Sequence, residues 1–533
     1  MANYVFFIGG SGARAYKAFL HVCASGAVNR QHFVNEVNVL LLDEDSMNAA
    51  CTECVRLYDA YRKNRALFQE GDAAGQSDAF WCDVKMYQTN ALSPVGTRQP
   101  KLSNVPEGDA VGERALKWFY EKREREQDLS RGFYAHPNIG CIFFQNFDLS
   151  NNALTNCLNS IVGDLREERN VRIAIVGSVF GGTGAAGIPS VLNLIRDYCQ
   201  SRGMDVRDKI RQDKMHFGAV LIMPYFSVDP GRADPNSVQN LTIDSSVFQS
   251  NTKSALRYYE VLDNFERLYL VGQKQLEIVN TKYSDGGREQ DNKPHIVELF
   301  AAMGVKHFLE NIPSQNRIMM RLLSGQPGEK ISWRSGELDS DLLAIADMVR
   351  VQSVLETIVL PYYQDRQKLS AAQKLQWFKE FKMDSKHSKE DMNVMLDYGD
   401  QLLEWMYFIQ YRYDGQGYNA QGQPVLKKNE RIDLCGDIIQ DIKDQIDKRK
   451  NNSAAPGQVI DWERLKNLLE NFNGVIEGIQ GVEYLVKAIP VLMSCAGVAY
   501  GGVAALCAVG FVLNLIRLTK EKEAKKGKGG NNG

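Results

Sequence analysis

Through the first part of the chain, short apolar runs alternate with segments whose apolar residues recur every three or four positions. Tyr4–Ile8, Val37–Leu42, Val171–Val176, His216–Pro224 and Arg267–Val271 read as buried strands, and Ile139–Phe144 reads as a further one. Ala15–Cys23, Leu154–Arg169, Ile188–Tyr198 and Thr252–Leu262 have helical spacing. Strands alternating with helices predict an α/β fold: a parallel sheet with helices on both faces, Arg267–Val271 being the last strand of the set. Gly-, Pro-, Asn- and Asp-rich stretches predict loops at Glu70–Ser77, Ala91–Gly112 and Asp229–Asn240. The charge-dense stretch Ala115–Asp128 predicts a solvated helix face.

After about residue 315 the pattern becomes mainly helical, at Leu342–Leu360, Ala371–Phe381, Asp391–Tyr413, Ile432–Lys450 and Trp462–Phe472. Asp414–Gly422 reads as a turn-rich loop, Asn451–Gly457 as a linker, and no internal repeat is present. The expected organisation is a nucleotide-binding domain over 1–315, a helical domain over 316–480, a membrane segment or hydrophobic hairpin over 481–520 and a basic flexible tail over 521–533.

Two glycine turns carry the candidate chemistry. Gly9-Gly10-Ser11-Gly12-Ala13-Arg14 follows the first strand, and Ser178-Val-Phe-Gly-Gly-Thr-Gly-Ala-Ala-Gly187 follows Val171–Val176. Strand, glycine turn and helix together present backbone N–H groups and a positive helix end to phosphate. Gly181, Gly182 and Gly184 lack Cβ and let an anion come close, and Thr183 adds a hydroxyl donor. No Lys follows in the P-loop position. The second strand ends in Asp43-Glu44-Asp45, where Asp43 or Asp45 can meet a ribose or a Mg²⁺ ion. The N-terminal residues alone leave two readings open, because Gly10-x-Gly12-x-x-Ala15 followed by Asp43 also fits a Rossmann dinucleotide fingerprint.

The Gly181-Gly182-Thr183-Gly184 loop, coming after an earlier glycine loop in that order, resembles the signature of the tubulin/FtsZ superfamily. Asn292-Lys-Pro-His295 before an apolar helix running to about Leu309 resembles the start of the central helix in a divergent bacterial group of these proteins. Asp128–Phe133 and Pro137–Gly140 resemble the same group and are expected near the phosphates. The resemblance covers roughly 1–310. It implies GTP as ligand, with Gly9, Gly10, Ser11, Gly12 and Gly181–Gly184 on the phosphates, and Asn292 on the base unless it caps the helix. Asp229 and Asp234 become ribose candidates, though turn formation explains them equally. The resemblance also implies self-association into filaments or rings. No Asn-x-Asp catalytic loop is evident; Glu337, Asp339 and Asp341 stand near its place, where an acidic helix start explains them as well. Catalytic residues are therefore not assigned.

Composition narrows the rest. A formal net charge of -2 with 24% charged residues gives no reason to expect nucleic acid as a partner. Ten cysteines are scattered without a secretory signal, which fits a reducing compartment, and Cys51-x-x-Cys54 has no second pair to complete a zinc site. From Ala488 to Ile516 there is no charged residue, and a Lys-rich tail follows. That length exceeds the roughly 20 residues a spanning helix needs. A span, a membrane hairpin or a buried helical hairpin remain open. Membrane lipid is the expected partner, on the cytoplasmic side. Together these features predict nucleotide-dependent assembly at a bacterial membrane. The rivals are a nucleotide-gated membrane effector of a defence-type system, a Rossmann-type NAD enzyme, and a scaffold whose glycine loops are only turns.

Overall fold

The computed structural model describes residues within 1–450, apart from 29–35, 46–47, 70–78, 90–100, 105–109, 145–148, 150–151, 229–242, 263–264, 274–278, 282–283, 285, 291, 312–317, 324–329, 334–341, 355, 357–385, 419–423 and 437. The chain divides into two compact units: Met1–Gly328 with Tyr411–Lys428, and Glu329–Gln410 with Asn429 onward.

The first unit opens with β1 (Ala2–Ile8), α1 (Gly9–Ser25), β2 (Glu36–Leu42), α2 (Ala49–Gln69) and β3 (Asp83–Thr89). Four helices follow: α3 (Ala110–Phe119), α4 (Lys122–Glu126), α5 (Pro137–Phe143) and α6 (Asn152–Arg166). Next come β4 (Val171–Ser178), α7 (Gly182–Ser201), α8 (Val206–Arg211), β5 (Met215–Ile222) and the short β6 (Phe226–Val228). The unit continues with α9 (Phe248–Leu262), β7 (Arg267–Gln273), β8 (Val279–Thr281), α10 (Ile296–Glu310) and β9 (Ile318–Leu323).

Seven strands form one sheet in the order β3-β2-β1-β4-β5-β7-β9, and every neighbouring pair is parallel. β1, β4 and β5 are buried along their whole length, which is why they read as near-continuous apolar runs. The register aligns Ile8 with Leu42 on one side and Gly177 on the other, so β1, β2 and β4 end level. From β1 the chain steps outward to β2 and β3, then crosses back to β4. The crevice outside the carboxyl ends of β1 and β4 is thus the topological switch point, where open α/β sheets bind ligands.

Several expectations need correction. Ile139–Phe143 is helical, within α5, and Phe144 caps it: Pro137 occupies the first turn, and a short apolar run cannot by itself tell strand from buried helix. Ala115–Asp128 is split between α3 and α4, and α3 starts at Ala110, inside the expected loop Ala91–Gly112. The sheet does not end at Arg267–Val271, because β9 pairs with β7 beyond it. The helix expected over Asp391–Tyr413 stops at Gln410, and Asp414–Tyr418 of the expected loop Asp414–Gly422 is strand, in an antiparallel hairpin of β10 (Tyr411–Tyr418) with β11 (Pro424–Lys428); 419–422 lie outside the described residues.

The second unit contains α11 (Leu343–Val354), α12 (Lys386–Gln410) and α13 (Ile438–Lys450), the hairpin strands β10 and β11 between the last two belonging to the first unit. Within it, Arg449 of α13 pairs with Glu356 at 3.0 Å and with Asp400 of α12. Burial, only partly offset by Arg449, pushes the Glu356 carboxyl up to about 7. The expected helices Ala371–Phe381 and Trp462–Phe472, and all of 481–533, lie outside the described residues. Among the described residues no helix is long and apolar enough to cross a membrane.

Candidate functional site

One pocket occupies the crevice at the switch point. Gly9, Gly10 and Ser11 form one wall of it, and Gly181, Gly182, Thr183 and Gly184 form another. The two glycine turns touch: a Cβ on Gly9 would stand 3.2 Å from the Thr183 Cβ, and Gly9 itself has φ +72, a conformation open to glycine at little cost. Each turn begins a long helix, and neither helix has a side-chain cap. The cap residue of α1 is Ile8, that of α7 is Gly181, and neither first turn holds an acidic residue. The first N–H groups of both helices therefore lack the partners that a capping side chain or carboxylate supplies, and both positive ends lie at the same pocket.

Not every glycine of the motifs serves the pocket. Gly12 does not line it; a Cβ there would press to 3.0 Å from the Phe7 carbonyl carbon and 3.2 Å from the Val176 oxygen. It lets α1 lie against β1 and β4. Gly184 and Gly182 line the pocket and also pack. A Cβ on Gly184 would meet the Ser178 oxygen at 2.4 Å, and one on Gly182 would meet the Phe133 Cβ at 2.7 Å.

The loop Arg131–Ala135 closes the α7 side, so Arg131–Phe133 of the expected Asp128–Phe133 stretch line the pocket, while Asp128–Ser130 and Pro137–Gly140 do not. Tyr134 and Ala135 hold positive φ, at 48 and 60, beside Gly132 at 94. Such strain persists only where the surroundings fix it. Phe133 is buried against Phe143 and Phe144, and Asn251 donates to the carbonyls of Ala135 at 2.9 Å and Phe180 at 3.2 Å.

Asp43 and Asp45 lie at the end of β2 and line the pocket, both buried. Asp45 Oδ2 accepts the Gly287 N–H at 2.5 Å, while the Cys51 thiol donates weakly to Asp43 Oδ2 at 3.7 Å. Burial, reinforced by Asp45, pushes the Asp43 carboxyl up to about 7. Cys51 and Cys54 are buried thiols whose pKa values burial raises, and among the described residues no group of His, Cys, Asp or Glu has the arrangement of a metal site.

Asn292 lines the pocket ahead of α10. The cap of α10 is His295, so Asn292 does not serve as its N-cap, and Pro294 stands just before that cap. His295 Nδ1 accepts the Val297 N–H at 3.2 Å and Glu298 Oε2 accepts the His295 N–H at 3.0 Å, a reciprocal capping pair. Burial, with Arg412 and Arg14 nearby, lowers the His295 pKa to about 3, which keeps the ring neutral and Nδ1 free to accept.

Two features escaped the sequence. The first is an aromatic wall: Phe180, Phe226 and Phe248 line the pocket together, with Phe180 centred 5.4 Å from Phe226 and 4.9 Å from Phe248. The second is Arg14. Its Nε donates to Glu298 Oε1 at 2.6 Å, and Tyr225 OH donates to the same oxygen at 2.6 Å, forming a buried network between α1, α10 and the residues after β5. Burial opposes the Arg14 charge, but Tyr225 and Glu298 together hold its pKa above the ordinary value. The pocket thus combines an anion-seeking end with an aromatic wall whose rings meet at steep angles, 77° between Phe180 and Phe226. Asp229, Asp234, Glu337, Asp339 and Asp341 lie outside the described residues.

No family model matches the chain, and no curated protein matches it. Among solved structures, CetZ from Methanosaeta thermophila strain DSM 6194 aligns with 59% of this chain at 12% identity and a TM-score of 0.23. The match spans 56% of that protein, a little over half its length.

Proposed function

We propose that the first unit binds a purine nucleoside triphosphate, with GTP as the expected ligand, in a pocket of tubulin-like design. One observation carries the reading: two uncapped helix N-termini, from the adjacent parallel strands β1 and β4, lie at one pocket. Phosphates would lie against Gly9–Ser11 and Gly181–Gly184, and the aromatic wall offers a base a stacking surface. Asn292, free of the cap role, remains the base-edge candidate. Asp43 or Asp45, both at the pocket wall, would meet the ribose or a Mg²⁺ ion brought with the phosphates.

A Rossmann-type NAD site shares this strand order and the β1 turn, but it has no need of the second turn. Self-association into a filament or ring belongs to the proposal through the resemblance of the loops. Tethering to the cytoplasmic side of a membrane, or nucleotide gating of a membrane effector, rests on 488–516. Hydrolysis is left unassigned.

Calorimetric titration of the full chain with GTP, ATP and NAD, beside a Thr183→Asp variant, tests the reading. GTP binding that the variant loses supports it. NAD binding that survives the substitution favours the dinucleotide enzyme, and a folded protein that binds none of the three overturns it.

A further inference from the structure

Arg14 is a buried cation in the pocket wall, only 4% exposed, and its hydrogen bonds use only part of its guanidinium. Nε donates to Glu298 Oε1 at 2.6 Å and to Tyr225 OH at 3.2 Å. Nη2 donates to Tyr225 OH at 2.8 Å and to Ser11 Oγ at 3.0 Å. Nη1 has no hydrogen-bond partner among the described residues. It lies beside Gly10 at the pocket: a Cβ on Gly10 would stand 3.7 Å from Nη1 and 3.0 Å from Asn48 Nδ2. Nη1 thus stands at the pocket wall near Asn48 Nδ2, which donates to Gln290 Oε1 at 3.0 Å, and a guanidinium has no acceptor of its own to offer there.

We propose that Arg14 is a ligand-binding residue of this pocket, and that its Nη1 takes an acceptor oxygen of the ligand beside Gly10. The proposal rests on the nucleotide reading above. Glu298 and Tyr225 are positioning residues: they fix Nε and Nη2 and so aim Nη1. The oxygen is either a phosphate oxygen or the exocyclic oxygen of guanine, since both accept from a guanidinium. The same fork carries occupancy to α10, because Glu298, one arm of the capping pair, is also the partner of Arg14. Lysine in this place keeps the charge but gathers its donors on one nitrogen, without the planar fork that reaches Glu298, Tyr225 and a ligand on separate nitrogens.

The test titrates full-length protein, Arg14→Lys and Tyr225→Phe with GTP, ATP and inorganic triphosphate, with a thermal melt of each. The wild type is expected to bind GTP, and Arg14→Lys to bind it about tenfold more weakly, the loss of one charge-assisted hydrogen bond. A phosphate contact weakens all three ligands by the same factor. A base contact weakens GTP alone and collapses the preference for GTP over ATP, which a merely structural role would not do. Tyr225→Phe removes only the hydroxyl, and a smaller loss in the same pattern is expected. Folded variants that bind all three ligands as the wild type does overturn the role of Arg14; if Arg14→Lys does not fold, Tyr225→Phe alone decides. A wild type that binds none of them overturns the nucleotide reading itself, a result distinct from an unchanged variant.

Discussion

On the α1 side of the pocket the glycines leave space and side chains supply the charge: Gly10 stands beside Arg14 and Asn48, with Asp43 and Asp45 at the end of the neighbouring strand. On the α7 side the order is reversed. Gly181–Gly184 bring no charged side chain, and Gly182 and Gly184 are hemmed in by Phe133 and Ser178. The same residue type thus does two physically different things at two helix starts. A glycine whose Cβ would meet side-chain ends is free to serve a ligand. A glycine whose Cβ would meet backbone is first a requirement of the fold.

The largest effect expected from that difference is at Gly184. An alanine Cβ there would sit 2.4 Å from the Ser178 oxygen, and backbone cannot swing aside. Overpacking of this kind costs about 3 kcal/mol, so Gly184→Ala is expected to melt far below the wild type. A variant with unchanged melting would remove the packing role.

Thr183→Asp separates ligand from fold on the same side. Thr183 is in the first turn of α7, where a carboxylate favours the positive helix end by about 0.5 kcal/mol. The same charge repels a phosphate. Stability is expected to hold or rise slightly while GTP affinity falls about 100-fold, since like charges in contact cost several kcal/mol. If both fall together in melts and titrations, α7 is only a structural helix end.

Asp43 tests the charged side along the pH axis. Its folded-state pKa, about 7, lies above the ordinary carboxylate range, so the folded protein binds this proton more tightly than the unfolded chain does. The stability this lends is fully present below the unfolded pKa and is lost as pH rises toward 7. Melts between pH 5 and pH 8 should therefore show lower stability at the alkaline end, and Asp43→Asn should flatten that slope. An unchanged slope in the variant assigns the dependence to another group, Glu356 first.

What the sequence revealed follows the same physics. β1 and β4 were legible because strands buried on both faces must be apolar throughout, and the turns after them because bare backbone there admits only glycine. β3 was not: Asp83-Val-Lys-Met-Tyr-Gln-Thr89 is an edge strand that mixes polar with apolar positions. β9 sits at the opposite edge. Arg14 was visible as a letter but not as a site, because its partners Tyr225 and Glu298 lie 211 and 284 residues away. Asn251 escaped for the same reason, its acceptors being 116 and 71 residues distant. A motif records what neighbours in sequence must be, and a wall assembled from distant segments leaves no local trace.

The smallest effects come from comparing Gly10 with Gly12, two residues apart on α1. Both stand at helical positions, where alanine is favoured over glycine by about 1 kcal/mol. At Gly12 the new Cβ would face the Phe7 and Val176 backbone at 3.0 and 3.2 Å, and strain of about 2 kcal/mol outweighs that gain. At Gly10 it would face the Asn48 amide nitrogen at 3.0 Å, the end of a side chain held by Gln290 and the Ala50 N–H that has to give by only a few tenths of an ångström. Gly12→Ala should therefore lower the melting temperature yet leave the affinity of the folded protein intact. Gly10→Ala should keep or slightly raise stability, by up to about 0.5 kcal/mol, while its methyl group intrudes on the ligand and weakens binding roughly tenfold. The crossing of the two outcomes is the decisive reading. If both variants lose stability and neither loses affinity once folded, the α1 turn is packing throughout, and only α7 retains a claim on the phosphates.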